Sequence, residues 1–271
     1  MILLLGGTAD TKPLARRLAA AGRRVLISTA TDIPLDVGGD AGIQRRCGPL
    51  DDASLIELVR QHGIRTIVDA THPYAAAIRE RARRIAAELA IRCVTLVRPA
   101  VIAPDEANVE FADDHREAAR RAFAHGRAVL LTTGSKNLAP YAAQAAATGL
   151  PLVVRVLDHP DSLAACRRAG LADHQILAGR GPFTVERNHQ DLCRFGIGVL
   201  VTKDSGHAGG TREKLAAARL ASCRIVVLRR PVADDANAFS DIDGLIAALL
   251  DPETGRSCSA LEMSGPRVQN S

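Results

Sequence analysis

The sequence predicts an α/β protein in which parallel β-sheets are covered by helices on both faces. Short apolar runs alternate with stretches of helical periodicity along almost the whole chain of 271 residues. The runs contain few polar residues, which is typical of strands that are buried on both faces of a parallel sheet. The chain also opens directly with one such run, a glycine turn and a helical pattern, the order of a strand–helix unit.

Nine apolar runs are predicted as strands, at residues 2–5, 24–29, 65–69, 92–97, 128–132, 151–156, 174–177, 198–202 and 224–228. Nine helices are predicted at residues 12–21, 52–62, 74–89, 114–125, 137–148, 160–169, 184–195, 211–221 and 240–250. Nine strands are many for one sheet, and the segment 128–136 repeats the strand–turn–helix opening of the chain. We therefore predict two Rossmann-like doubly wound domains with mainly parallel sheets and a ligand cleft between them.

Prolines and acidic residues interrupt the alternation between residues 99 and 114. We accordingly expect one domain over residues 1–115 and a second over residues 116–250. Residues 251–271 are polar and aperiodic, so they are expected to form a disordered tail.

Composition narrows the class of protein. No apolar run approaches the ~18 residues of a membrane span, and the six cysteines are scattered without a C-x-x-C pair. This usage argues against zinc and disulfides and favours the cytoplasm. Aromatic residues are 3% with no Trp, which disfavours stacking on nucleic acid, while a net charge of +5 favours anionic partners. Four arginines of one predicted helix are interpreted as a solvated face: Arg79, Arg81, Arg83 and Arg84.

The first predicted strand ends in Gly6, Gly7 and Thr8. Such a turn is expected to bring free backbone N–H groups and the positive end of a helix dipole to one point, which suits a phosphate. Glycines without Cβ atoms also let a pyrophosphate approach the backbone closely. The full G-x-G-x-x-G spacing is absent, so a plain tight turn is an equal alternative.

Hydroxyl groups and arginines follow the second predicted strand, at Ser28, Thr29, Ala30, Thr31, Arg45 and Arg46. Asp32 comes late for binding a ribose 2′-hydroxyl, whereas hydroxyls and arginines suit a 2′-phosphate. The segment therefore favours NADP over NAD as cofactor. An exposed basic pair at Arg45 and Arg46 is the alternative.

Three further strand ends carry polar residues that we expect to face a ligand: Thr71, His72 and Tyr74 after the third strand, Ser135 and Lys136 in the second domain, and Lys203, Asp204, Ser205 and Gly206 after a later strand. His72 has a side chain suited to proton transfer near neutral pH. Each loop alone is also explained by helix capping, but together they favour a binding site.

Four motifs in order resemble the precorrin-6A reductases of cobalamin biosynthesis, in porphyrin and corrin metabolism. They are Leu-Gly-Gly-Thr at 5–8, Asp-Ala-Thr-His-Pro-Tyr-Ala at 69–75, Thr-Thr-Gly-Ser-Lys at 132–136 and Thr-Lys-Asp-Ser-Gly at 202–206. Asp10 stands where the family commonly has Glu, and the tail beyond residue 251 has no counterpart.

The resemblance implies a monomeric oxidoreductase that transfers hydride from NADPH to C19 of precorrin-6A and adds a proton at C18, giving precorrin-6B. NADPH is then expected on the first domain at the loops after the first two strands, with the anionic macrocycle across the other three loops. His72, Tyr74, Lys203 or water is the implied proton donor. No metal is expected. The expected partners are the macrocycle and, transiently, neighbouring pathway enzymes, with neither nucleic acid nor membrane.

Three alternatives stay open. The anaerobic counterparts in this family act on cobalt-precorrin-6A, and these residues do not distinguish the two substrates. A different NAD(P)-dependent reductase is less consistent, since short-chain dehydrogenases lack the loop at 69–74 and no Tyr-x-x-x-Lys pair is present. A non-catalytic NADP(H)-binding sensor is the alternative outside enzymes.

Overall fold

A computed structural model of the protein describes residues 1–32, 40–97, 99–103, 105–106, 108–206, 209–231 and 237–251. The chain forms two compact units, Met1–Arg98 with Ala233–Ser271 and Pro99–Val232. The chain thus leaves the first unit earlier than the expected boundary at residues 115/116 and later returns to it. Of the expected tail, only Asp251 lies within the described residues.

Unit 1 is built on six parallel strands in the order β12-β5-β4-β1-β2-β3. The strands are β1 (Ile2–Leu5), β2 (Val25–Thr29), β3 (Ile43–Cys47), β4 (Thr66–Asp69), β5 (Arg92–Leu96) and β12 (Ala238–Phe239). Its helices are α1 (Thr11–Ala20), α2 (Asp52–Gln61), α3 (Ala76–Glu88) and α9 (Ile242–Leu250).

Helices cover both faces of the unit 1 sheet. Leu4 of β1 packs in one core cluster with Leu18 of α1 and Leu245 of α9. Leu3, on the opposite side of the strand, packs with Leu55 of α2. Because successive side chains of a strand point to opposite faces, an uninterrupted apolar strand is what this two-sided burial requires.

Unit 2 contains the second six-stranded parallel sheet, in the order β6-β11-β10-β7-β8-β9. The strands are β6 (Val109–Ala112), β7 (Val129–Leu131), β8 (Leu152–Val156), β9 (Ile176–Ala178), β10 (Val199–Lys203) and β11 (Arg224–Leu228). Its helices are α4 (His115–Ala124), α5 (Ala139–Thr148), α6 (Pro160–Arg168), α7 (Val185–Arg194) and α8 (Thr211–Leu220), with a 3-10 turn at Asp173–Gln175.

The predicted α/β class is confirmed, and all ten pairings between neighbouring strands are parallel. Every predicted strand and helix is present with small shifts at its ends. Three further strands were missed: β3, β6 and β12. All three lie at an edge of a sheet, where only one neighbouring strand is needed. Their sequences are accordingly short or partly charged, as in Ile-Gln-Arg-Arg-Cys of β3.

Pairing explains where the chain changes unit. β6 pairs with β11 of the second sheet, so the acidic stretch that was expected to separate domains belongs to unit 2. β12 pairs with β5 of the first sheet, which draws the C-terminal segment back to unit 1. Within the described ranges, no helix has the length and apolar character that crossing a lipid bilayer requires.

The returning helix α9 should contribute directly to the stability of unit 1. Leu245 is fully buried in the cluster with Leu14 and Leu18, whereas Leu250 at the end of the same helix is 37% exposed. We expect Leu245→Ala to lower the free energy of unfolding by about 2–4 kcal/mol, because it leaves a cavity. Leu250→Ala should change it by no more than about 0.5 kcal/mol. Urea denaturation of both variants tests this, and equal effects would contradict the packing of α9.

Candidate functional site

The strand order reverses once in each sheet, and four of the predicted loops lie at these reversals. In unit 1 the reversal falls between β1 and β4, and in unit 2 between β7 and β10. Ligands of open parallel sheets bind at the carboxyl ends of strands where the order reverses. The two loops are hydrogen bonded to each other in each case, from Thr8 Oγ1 to the carbonyl of Ala70 (3.0 Å) and from Lys203 Nζ to that of Thr133 (3.2 Å).

The glycine loop after β1 differs from the prediction in its backbone bonding. The N–H of Gly6 donates to the Ser28 carbonyl (2.9 Å), and those of Gly7 and Thr8 donate to Thr11 Oγ1 (3.0 and 3.1 Å). The expectation of free N–H groups at these three residues was therefore wrong. The buried Thr11 hydroxyl of α1 accepts hydrogen bonds from the Gly7 and Thr8 N–H groups, so both are satisfied within the protein.

Gly6 and Gly7 require glycine for different structural reasons. A Cβ on Gly6 would lie 2.5 Å from Thr11 Cγ2, so this glycine permits close approach of α1. Gly7 has φ +106°, a backbone conformation that residues with side chains rarely adopt. A Cβ atom there would meet no atom of the described residues within 4 Å. The space beside Gly7 is therefore open to a ligand.

The residues expected to bind the ribose end of a cofactor lie together at the ends of β2 and β3. Arg46 Nη1 donates to Ser28 Oγ (2.7 Å) and Arg45 Nη2 to Thr29 Oγ1 (3.3 Å). Ser28 and Thr29 are buried, whereas the neighbouring Ala30 and Thr31 are exposed. The structure thus brings the predicted set into one polar cluster and does not leave the arginines as a separate surface pair.

Asp32 is part of the same cluster, although its position after β2 was considered late. Its Oδ1 accepts from Cys47 Sγ (3.3 Å) and lies 4.0 Å from Arg45 Nη2. The Asp32 side chain is 90% exposed, so it screens Arg45 only weakly. Among the described residues, the cluster thus places the guanidinium groups of Arg45 and Arg46 beside the buried hydroxyls of Ser28 and Thr29.

A buried ion pair supports the loop after β4. Asp69 Oδ2 accepts from Arg79 Nε of α3 at 2.8 Å, and the two side chains are 1% and 9% exposed. Asp69 Oδ1 accepts from the Thr71 N–H (2.9 Å) and Thr71 Oγ1 (2.5 Å). Arg79 Nη1 also donates to the Pro73 carbonyl (3.0 Å). Both ends of the loop are therefore attached to one buried pair.

The interpretation of the α3 arginines as a solvated face was wrong for Arg79. It is 8% exposed and required by the carboxylate beneath it. Arg81 and Arg84 do lie at the surface, where both pair with Asp52 of α2. Periodicity could not separate the buried arginine from its neighbours, because its partner Asp69 lies on a different element.

His72 and Tyr74 lie side by side on the loop that this pair supports. The Tyr74 N–H donates to His72 Nδ1 (3.3 Å), and the two ring centroids are 5.6 Å apart. Because Nδ1 accepts, the proton of the neutral imidazole is on Nε2. Both side chains are half-buried.

In unit 2, Lys203 at the end of β10 is bound across the reversal to the loop after β7. Burial and the charge of Lys136 lower the pKa of Lys203 to about 8. Ser135 is half-buried and Lys136 is exposed on that loop. The predicted residues Ser135, Lys136 and Lys203 therefore lie together at the carboxyl ends of β7 and β10.

Asp204 has a supporting role in the loop after β10. Its Oδ2 accepts from the N–H groups of Val101 (2.8 Å) and Ile102 (3.2 Å), and its Oδ1 from Gly206 N–H (3.0 Å) and Arg230 Nη2 (2.8 Å). Burial alone would raise the pKa of this carboxyl group, but these hydrogen bonds and the Arg230 charge lower it. Four protein donors occupy the carboxylate that was expected to contact a substrate.

Ser205 and Gly206 are buried beside Asp204. The Ser205 N–H donates to Thr211 Oγ1 of α8 (3.1 Å). The adjacent His207 lies outside the described residues.

Sequence reasoning missed two polar groups near Lys203. One is His115 of α4, which is hydrogen bonded to Tyr141 and Asn137. The other is Lys214 of α8, whose pKa is lowered to about 8 by burial and by the charges of Arg155 and Lys203. His115 lies in a predicted helix, and Tyr141 and Lys214 follow helical periodicity, so no local signal marked them.

Among the described residues, no group of three or more His, Cys, Asp or Glu side chains is arranged to hold a metal ion. The carboxyl ends of the strands in both sheets present glycine backbone, hydroxyl groups and cationic side chains. That chemistry suits phosphate and carboxylate ligands.

Doubly wound parallel sheets with such side chains at their reversal points are typical of nicotinamide-dependent oxidoreductases. The family model described as precorrin-6x reductase CbiJ/CobK matches residues 1–250 of this chain. This chain belongs to that family. Both the resemblance inferred from the four motifs and the oxidoreductase class are thereby confirmed, and the family implies a reduced nicotinamide cofactor.

Individual relatives agree with the family. The chain is 32% identical to a cobalt-precorrin-6A reductase of Priestia megaterium, over 92% of this chain and 98% of the relative. It is 33% identical to a precorrin-6A reductase of Rhodococcus erythropolis, over 91% and 96% of the two chains. The solved structure of CobK precorrin-6A reductase matches with a TM-score of 0.73 at 24% identity, covering 92% of this chain and 95% of that one, which confirms the fold.

The buried pair under the His72 loop can be tested by substitution. Asp69→Asn should lower the free energy of unfolding by about 3 kcal/mol or more, because it leaves the Arg79 charge buried without a counter-charge. Asp52→Asn, which breaks exposed pairs with two other arginines of the same helix, should cost less than about 1 kcal/mol. Urea denaturation measures both, and equal costs would show that the Asp69 pair is no more important than a surface pair.

Proposed function

We propose that this chain is a precorrin-6A reductase that uses NADPH to reduce the C18–C19 double bond of the macrocycle to precorrin-6B. The family match over residues 1–250 is the observation that carries the proposal. NADPH, when bound, supplies the hydride that forms the C19–H bond, and NADP⁺ leaves. A proton delivered to C18 completes the addition of two hydrogens, so atoms and charge balance.

NADPH is proposed to bind unit 1 at the carboxyl ends of β1 and β2. The open space beside Gly7 suits the pyrophosphate, together with Gly6, Thr8 and the start of α1. The polar cluster at residues 28–31, with Arg45 and Arg46, is proposed to bind the ribose 2′-phosphate. Guanidinium and hydroxyl groups together suit a phosphate, which supports NADPH over NADH.

The loops at the carboxyl ends of β7 and β10 in unit 2 are proposed to bind the carboxylate groups of the macrocycle. Lys136 and Lys203 supply ammonium groups there, and Ser135, Ser205 and Gly206 supply hydroxyl and backbone donors. Asp204 is proposed to position this loop, because its carboxylate accepts hydrogen bonds from four protein donors. In unit 1, Thr71, His72 and Tyr74 are proposed to contact the reacting part of the ring.

Lys203 is proposed as the proton donor to C18. A pKa of about 8 keeps its ammonium protonated at neutral pH and makes it a stronger acid than an ordinary lysine. Its Nζ is held by the Thr133 carbonyl at 3.2 Å. His72 and Tyr74 of unit 1 are the alternative donors.

Turnover with purified protein tests the function. We expect precorrin-6A to cause loss of NADPH absorbance and to gain two hydrogens by mass spectrometry. The relative from Priestia megaterium is named for cobalt-precorrin-6A, so turnover of the cobalt complex alone would assign the second candidate substrate. Tight NADPH binding without turnover of either macrocycle would contradict the proposal and favour a cofactor sensor.

The cofactor placement predicts a change in specificity. Arg45→Gln should raise the KM for NADPH about tenfold and leave that for NADH within about twofold, because it removes a charged partner of the 2′-phosphate only. Arg60→Gln, on the exposed last turn of α2, is the control and should change neither. Initial rates with both cofactors measure the effect, and a parallel loss with NADPH and NADH would contradict the placement.

Lys203→Ala should raise the KM for the macrocycle more than tenfold while changing that for NADPH by less than about twofold. In the unsubstituted enzyme, kcat/KM for the macrocycle should fall as pH rises through about 8, because the ammonium form is lost. The Lys203→Arg variant stays charged, so its kcat/KM for the macrocycle should not fall as pH rises through about 8. Rate profiles against pH test both points, and equal changes in the two KM values would count against the placement.

A further inference from the structure

His115 is the first residue of α4 and lies between two partners of unit 2. Its Nδ1 is 3.0 Å from the hydroxyl of Tyr141, and its Nε2 accepts from Asn137 Nδ2 at 3.0 Å. Tyr141 is fully buried in α5, and its ring meets that of His115 edge-on at 5.8 Å. With Nε2 accepting, the neutral imidazole carries its proton on Nδ1, which donates to Tyr141.

Asn137 belongs to the loop after β7 that carries Lys136. Among the described residues, hydrogen bonds attach that loop both to β10 and to α4. Lys203 Nζ binds its Thr133 carbonyl, and His115 binds its Asn137 side chain. Lys136 lies between these two attachments, so its position depends on both.

The charges around His115 favour its neutral form. Burial lowers the pKa of His115, and the positive charge of Lys203 on β10 lowers it further. Asp114, the N-cap of α4, opposes this with a smaller effect. Tyr141 and Asn137, the groups that face it from α5 and its preceding loop, are uncharged. At neutral pH the imidazole is thus the acceptor that Asn137 requires.

We propose that neutral His115 is a positioning residue for the macrocycle site, because it holds the loop of residues 132–137 in the conformation that presents Lys136 to a substrate carboxylate. This inference rests on the proposed function. His115 itself contacts no reacting atom in this account.

Protonation of His115 would remove the attachment in two ways. An imidazolium has no acceptor nitrogen, so the hydrogen bond from Asn137 Nδ2 is lost. The added positive charge also repels Lys203, which holds the other end of the loop. Affinity for the macrocycle should consequently fall as pH falls through the pKa of His115, below that of an ordinary histidine.

The test combines His115→Gln and Asn137→Ala, which break the same hydrogen bond from its two ends. Each should raise the KM for the macrocycle about fivefold at neutral pH, the equivalent of one ordinary hydrogen bond. The double variant should be no worse than either, because the bond is already lost. His115→Gln should also abolish the rise in KM at acid pH. His125→Gln is the matched control, at the other end of α4 and bonded to Glu110.

Amide hydrogen exchange gives a second result that does not depend on turnover. Residues 133–137 should exchange faster in His115→Gln and Asn137→Ala than in the unsubstituted protein or His125→Gln. Additive effects of the two substitutions on KM would overturn the proposal. So would a rise in KM at acid pH that persists in His115→Gln, or loop exchange that is unchanged in both variants. Absence of turnover in all proteins together with faster loop exchange would instead reject the proposed function and leave the positioning of the loop supported.

Discussion

Reversal of strand order in a parallel sheet is the constraint on which the candidate sites depend. Neighbouring strands at a reversal send their following helices to opposite faces, so the two loops at their carboxyl ends separate and leave a crevice. Both units have one such point, between β1 and β4 and between β7 and β10. Glycine, hydroxyl and lysine residues lie at both points, with Gly7 and Thr8 in unit 1 and Ser135, Lys136 and Lys203 in unit 2.

Buried charge pairs keep the crevice loops in place. Asp69 with Arg79 supports the His72 loop of unit 1, and Asp204 with Arg230 supports the loop after β10 of unit 2. A carboxylate that accepts several loop N–H groups fixes backbone conformation more tightly than apolar contact, since each donor needs a partner once it is buried. Such pairs therefore hold the backbone of these loops in place.

The fold was largely predictable from the sequence, since the eight central strands, the edge strand β9 and the described helices show apolar runs or helical periodicity. The edge strand β3, Ile-Gln-Arg-Arg-Cys, was not, because one-sided pairing leaves no apolar run. Loop motifs located the candidate residues, but not their roles. The donors to Asp204 were not predictable because Val101, Ile102 and Arg230 are distant in sequence. His115 gave no signal because Asn137 and Tyr141 are brought to it only by tertiary packing.

The central claim is that ligands bind at the carboxyl ends of strands beside the two reversals. Hydrogen–deuterium exchange with and without NADPH, and then with precorrin-6A, tests it most directly. We expect NADPH to slow exchange at residues 6–8 and 28–31, and the macrocycle to slow it at residues 133–136 and 203–206. Protection confined to the amino ends of the strands, or to outer helix faces, would contradict the account.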